Sequence, residues 1–278
     1  MPNVRGKFAT KLPSWRKIAA IAWKPPDDAT IYGSLDIDVS KALPYLEEVS
    51  KKSGQKLTVT HLAVAAAARA LRKHPECNGY IRGGRVFLRD DVDIFVHVAV
   101  PPKDGEGAGK ADLTGLKIQG ADHKGVGEIA AEIGKGAGKV RKGNDKQLKG
   151  AKDFFDNFPP RLLGAILRGV SHVQYEWNVD LSRLGFPRDP FGSAMVTSVG
   201  MFGITEGFAP ITPFTRTTVL LLLGALQDKP VVIDGQVAVR PILRVTGTFD
   251  HRLIDGFQAG KFGTTFKEIM EDPAAKLA

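Results

Sequence analysis

His251 stands between two acids and an arginine in the stretch Thr248-Phe249-Asp250-His251-Arg252-Leu253-Ile254-Asp255-Gly256. The apolar, β-prone run 242–249 leads directly into it. An imidazole titrates near pH ~6.5, so it can take and return a proton close to neutrality. At the end of a strand it can be aimed rigidly into a cleft. Asp250 and Asp255 lie close enough in sequence to orient it or its surroundings. Spacing alone leaves a second reading open, a buried histidine that only satisfies its own hydrogen bonds.

The segment 250–256, DHRLIDG, resembles the DHRxxDG signature of the dihydrolipoamide acyltransferases of 2-oxoacid dehydrogenase complexes. Chloramphenicol acetyltransferase has a related fold and a similar motif. Three more segments resemble the family in the family's order: 194–203 (AMVTSVGMFG), 57–78 (from LTVTHL through the alanine run to LRKHPECN), and 92–100 (VDIFVHVAV). Together they cover most of residues 30–135 and 190–275, and four matches in order are specific where one alone is weak.

The resemblance implies an α/β fold, a two-layer sandwich with a mixed β-sheet like that of chloramphenicol acetyltransferase. It implies a coenzyme A-dependent acyltransferase in which His251 acts as general base directly on the acceptor thiol, with no covalent acyl-enzyme. Thr197 matches the oxyanion donor, and its hydroxyl can give one hydrogen bond; the other reading is a plain β-branched strand residue. Ser198 occupies the place of the family's usual Asn or Ser. With Arg252 it is a candidate for contacting substrate or cofactor, and Arg252 is also a candidate anchor for the histidine loop. Asp255 matches the motif aspartate that fixes this loop, a role compatible with capping a helix. The resemblance implies no covalently bound cofactor, coenzyme A or acyl-CoA as substrate, and a homotrimer with active sites between subunits. No lipoyl domain or peripheral-subunit-binding domain is seen. Either carrier domains sit on another polypeptide, or the enzyme is a free-standing acyltransferase that uses coenzyme A and a different acceptor, a thiol or another nucleophile; the second is the expectation. The C-terminal residues 273–278 lack the strongly apolar ending that joins trimers into cages, so no cage is expected. Two rivals remain: a non-catalytic trimeric scaffold, and a membrane- or nucleic-acid-associated binding protein of the same fold.

Composition sets the outer bounds. The 278 residues are 43% hydrophobic and 25% charged, enough to build a substantial core. Cys77 is the single cysteine, so no intramolecular disulfide can form; the expectation is a buried structural thiol in a reducing compartment. No continuous apolar h-region opens the chain, and the run 219–223 is far short of the ~20 residues a spanning helix needs. A cytoplasmic protein is expected, with no membrane role. The net charge is +9, and much of the excess falls in Lys135 to Lys152. No nucleic-acid-binding signature accompanies it, so nucleic acid is not expected as a partner, while a positive surface suits coenzyme A. No metal-ligand spacing, GxSxG elbow or phosphate loop appears.

These residues must be positioned by a series of alternating elements. Residues 1–28 read as an N-terminal arm around a short helix, 15–23, and 29–278 as the catalytic domain. A strand is expected at 30–39 and a helix from a Ser40 cap to about Ser53, stopped by Gly54. A long alanine-rich helix follows, capped by Thr58 or Thr60. Gly83-Gly84 reads as a hairpin turn, 93–100 as a buried strand, 113–119 as another strand and 126–142 as a helix. Strands are expected at 194–198 and 217–223, then a hairpin through Asp234-Gly235 into the strand ending at His251, and a last helix 257–271. Residues 152–190 have no counterpart in the family and read as an insertion. It holds an apolar helix, 161–170, and several aromatics, and is expected to shape substrate choice rather than perform chemistry.

Overall fold

The architecture is that of a computed structural model, which describes residues 2–8, 29–100, 112–141 and 160–277. Six strands form a mixed sheet: β2 (Thr30–Asp38), β5 (Ile94–Val100), β6 (Asp112–Ile118), β7 (Ala194–Ser198), β8 (Val219–Ile233) and β9 (Gln236–Asp250), with spatial order β2-β9-β8-β7-β5-β6. β7 runs parallel to both β5 and β8; the other neighbours are antiparallel. A smaller antiparallel sheet joins β1 (Gly6–Phe8), β4 (Arg85–Arg89) and β3 (Gly79–Arg82) in the order β1-β4-β3.

One face of the large sheet is covered by α2 (Val59–Lys73), α3 (Val126–Arg141) and α5 (Gly256–Glu271), flanked by α1 (Ala42–Ser53) and the short α6 (Pro273–Lys276); α4 (Pro160–Ser171) belongs to the inserted region. The fold is therefore two-layered. The alternation of the strands explains it: Ile94, Val96, Ala194, Val196, Leu221, Leu223, Val245 and Phe249 are buried together with the helices. The alanine run of α2 is wholly buried, since small side chains let a helix lie close to a sheet. The opposite face carries Phe95, His97, Met195, Thr197, Leu222, Thr246 and Thr248. The segment after β7 crosses part of it, held by Thr248 Oγ1 donating to the Ala209 carbonyl at 2.8 Å and Thr246 donating to Gly207.

Some local expectations hold and others shift. Thr58 caps α2 within a capping box, and Gly54 ends α1 at φ 67°. Gly83-Gly84 and Asp234-Gly235 close their hairpins with positive φ at both turn residues, the requirement of a tight two-residue turn. Ser40, in contrast, does not cap α1: the cap position falls on Lys41, while the Ser40 N–H donates to Asp38 Oδ1 at 2.9 Å. β8 runs ten residues beyond the expected Leu223, to Ile233, because its pairing with β9 continues past an irregularity between Leu223 and Leu226. Long-range pairing there overrides the turn character of Asp228 and Pro230. The expected helix at 15–23 and most of the basic stretch, from 142 onward, lie outside the described residues, as do three aromatics of the inserted region, Phe154, Phe155 and Phe158.

Candidate active site

β9 ends at Asp250, one residue earlier than expected, and His251 opens the turn that leads into α5. Three fastenings hold this turn. The His251 N–H donates to the Ala29 carbonyl at 2.6 Å, and the Leu253 and Ile254 N–H groups return to the Asp250 carbonyl at 3.0 and 2.9 Å. Leu253 and Ile254 are buried beneath it. Asp250 and Arg252 form a buried ion pair, with Arg252 Nη2 to Asp250 Oδ2 at 2.6 Å and Nε to Oδ1 at 2.9 Å. Such a two-toothed contact fixes geometry as well as charge.

Arg252 is therefore the anchor of the turn. As a substrate contact it is corrected by this geometry, because its guanidinium is buried and committed to Asp250. Asp255 caps α5: its carboxylate accepts from Phe257 N at 2.9 Å and Gln258 N at 3.4 Å, while Gln258 Oε1 accepts from Asp255 N at 3.3 Å. This reciprocal box locks the far end of the turn.

The imidazole is half-buried, and its Nδ1 lies 3.0 Å from the Ile254 carbonyl oxygen. A carbonyl can only accept, so Nδ1 carries the hydrogen and the neutral ring has its lone pair on Nε2. The orienting group is thus a backbone carbonyl three residues on, which no side-chain pattern could have named. Asp250 orients the surroundings of the ring, because its carboxylate holds Arg252 and so fixes the turn.

Thr197 lies on β7, on the sheet face away from the helices, and Ser198 follows it at the strand end; both are half-buried. The strand register places neither beside His251 within one chain. Ala194 is level with Val219 and Phe249, whereas Thr197 is level with Leu222 and Thr246. Thr246 precedes His251 by five residues. At ~3.3 Å per residue along the strands and ~4.8 Å between strands, Thr197 and His251 are roughly 19 Å apart.

The inserted region is built into the fold. Asp189 is buried against Arg89 of β4, with Nε to Oδ2 at 3.2 Å, and accepts from the Tyr175 hydroxyl at 2.8 Å. Arg89 also donates to the Gly79 carbonyl at 2.5 Å, and Asn3 Oδ1 accepts from the Asp189 N–H at 3.0 Å. Burial alone would raise the Asp189 carboxyl, but the adjacent Arg89 charge overrides it and holds the group below the usual carboxylate range. Exchanging the whole insertion for a flexible linker would leave Arg89 buried without its counter-charge. Cys77 is fully buried, its thiol 3.8 Å from the Gln258 carbonyl. Among the described residues no cluster of three or more His, Cys, Asp or Glu could hold a metal ion, and no helix is long and apolar enough to cross a membrane.

A mixed sheet covered on one side by helices is also the fold of solved acyltransferases. A probable dihydrolipoamide acetyltransferase from Listeria monocytogenes has it, with a TM-score of 0.63 at 20% identity over 95% of this chain and 94% of that one. Chloramphenicol acetyltransferase matches at 0.50 with 14% identity, over 96% of this chain and all of the other. The model of the 2-oxoacid dehydrogenases acyltransferase (catalytic domain) family matches residues 27–152 and 191–278, and the chain belongs to this family. Residues 153–190 fall outside the match. Among relatives, the mitochondrial dihydrolipoyllysine-residue succinyltransferase component of the 2-oxoglutarate dehydrogenase complex of Saccharomyces cerevisiae is 29% identical over 84% of this chain and 40% of its own length. The dihydrolipoyllysine-residue acetyltransferase component of the pyruvate dehydrogenase complex of Zymomonas mobilis is 25% identical over 89% and 46% respectively. The chain spans 40% to 50% of the length of the curated relatives it matches.

Proposed function

We propose that this chain catalyses direct acyl transfer between coenzyme A and an acceptor thiol, with His251 as general base and Thr197 as oxyanion donor. The observation that carries the reading is the Nδ1–H contact to Ile254, which presents Nε2 as a proton acceptor on a turn fixed at both ends. In the forward step Nε2 takes the acceptor's S–H proton. The thiolate attacks the thioester carbonyl carbon, and the carbonyl oxygen becomes an oxyanion that receives a hydrogen bond from the Thr197 hydroxyl. Collapse breaks the bond to the coenzyme A sulfur, and that sulfur takes the proton back from His251. No bond to the protein forms at any stage.

The distance between the two residues supports a site shared between copies. Because Thr197 and His251 are roughly 19 Å apart in one copy by strand spacing, they meet one substrate only when contributed by different copies. A symmetric ring of copies in which each pairs its histidine edge with a neighbour's β7 face satisfies both. The named relatives are dihydrolipoyllysine-residue acyltransferases, so a dihydrolipoyl group is the acceptor of choice.

The test is a thiol-release screen with acetyl-, succinyl- and longer acyl-CoAs and dihydrolipoamide as acceptor, read against His251→Ala. Transfer by the wild type that the variant loses supports the reading. A trimer inactive with every donor favours the scaffold.

A further inference from the structure

We propose that His97 is a second catalytic hydrogen-bond donor, which shares with Thr197 the oxygen of the acyl carbonyl. The inference rests on the role given to Thr197 above.

The strand register brings the two together. β5 and β7 run parallel, with Ile94 opposite Ala194, Phe95 opposite Met195 and Val96 opposite Val196. The paired register ends at Val96 and Val196; continued by one residue, it sets His97 level with Thr197. Val96 and Val196 point into the core, so by alternation His97 and Thr197 both point to the other face. Neighbouring strands lie ~4.8 Å apart, so two such side chains can converge on one atom. Both residues are half-buried, which leaves them reachable from that face.

The ring is held in place. Phe95, two residues earlier on the same face, meets it edge-on, with ring centres 5.2 Å apart and planes at 79°. Phe95 itself leans on Phe191 at 5.2 Å, and Phe191 on Phe214 at 5.6 Å. A row of aromatic rings therefore runs from Phe214 through Phe191 and Phe95 to His97. Opposite His97 on β6 stands Gly115, which has no side chain to crowd the imidazole. Burial lowers the His97 pKa from its ordinary value, which keeps the ring neutral near pH 7 with one N–H to donate. A neutral imidazole can serve as an electrophilic donor to a carbonyl oxygen. The hydrogen bonds only stabilise charge; no proton leaves His97 or Thr197, and the balance of the transfer step is unchanged.

The experiment compares wild type, His97→Phe, Thr197→Val and the double variant in acyl transfer from acetyl- and succinyl-CoA to dihydrolipoamide, with acyl-CoA affinity measured separately by equilibrium dialysis. Phe keeps the ring contact and deletes the donor. Loss of one oxyanion donor costs about 10²–10³-fold in turnover. His97→Phe should lose about that in kcat with acyl-CoA affinity kept, and the double variant should lose less than the product of the single losses, because the residues serve one oxygen. His97→Asn, which retains an N–H, should recover part. If His97→Phe does not fold, as judged by thermal unfolding, His97→Leu takes its place. Full turnover in the His97 variant while Thr197→Val is slow overturns this inference and leaves the site intact. A loss confined to acyl-CoA affinity, or multiplicative single losses, overturns it too. Full turnover in both single variants, or an inactive wild type, sinks the Thr197 reading and this inference together.

Discussion

His251 donates its Nδ1 hydrogen to the Ile254 carbonyl at 3.0 Å, and that contact decides which nitrogen can act as a base. Replacing the ring by His251→Ala should lower acyl transfer by ~10²–10⁴-fold, the usual worth of general-base catalysis. The thermal unfolding temperature should change little, since the turn keeps the Asp250–Arg252 pair and the Asp255 cap. Wild-type rates in a folded His251→Ala protein would remove the histidine from the mechanism.

Thr197→Val keeps the shape of a β-branched strand residue and deletes only the hydroxyl. Turnover should fall about 10²–10³-fold. Unaltered kcat would return Thr197 to the status of a strand residue.

The separation of the two residues yields a complementation test. His251→Ala and Thr197→Val should each keep only a small residual activity as pure assemblies. Co-assembled in equal amounts, they should regain about a quarter of the sites if each site draws its histidine and threonine from different copies paired at random. Light scattering on the wild type should give three times the 30.0 kDa chain mass. No recovery in mixtures shown to be mixed, or an active monomer, would refute a shared site.

Asp189→Asn keeps the size of the side chain but strands the Arg89 charge. Removing one partner of a buried ion pair costs about 3–5 kcal/mol, so chemical denaturation should show a large drop. The pH dependence follows from the direction of the shift. The folded-state pKa of Asp189 is depressed, so the group's contribution is present above its unfolded value and is lost as pH falls through the folded one. Wild-type stability should therefore decline below about pH 4. The part due to Asp189 should be absent from the variant, and identical acid limbs for the two proteins would contradict the assignment.

Gly192 sits at φ 63°, and a Cβ there would lie 2.6 Å from the Asp93 Cβ. Gly192→Ala should destabilise by about 1–3 kcal/mol through strain and this clash. A melting temperature equal to wild type would show that the turn can relax.

Local sequence determined a good deal here. Thr58 and Gly54 bound their helices, the Gly83-Gly84 and Asp234-Gly235 pairs their hairpins, and Asp255-Gly256 opens α5, because caps and tight turns depend on a few adjacent backbone angles. The histidine motif and the order of the other segments were enough to imply the family and its two-layer fold. Ser40 shows the limit of this reasoning: a good capping residue stands one position before the cap, which falls on Lys41. Tertiary structure alone decided the rest. Arg252 could be read as a substrate contact until its burial against Asp250 made it an anchor. The partnership of Arg89 with Asp189 spans 100 residues of sequence, and no local pattern encodes it. His97 stood in the sequence as a lone polar residue in an apolar strand, a visible signal without a meaning. Its place beside Thr197, like the gap between Thr197 and His251, depends on which strands become neighbours and in what register. That choice is made by burying one whole face of the sheet beneath α2, α3 and α5, a property of the assembled layers that no single segment contains.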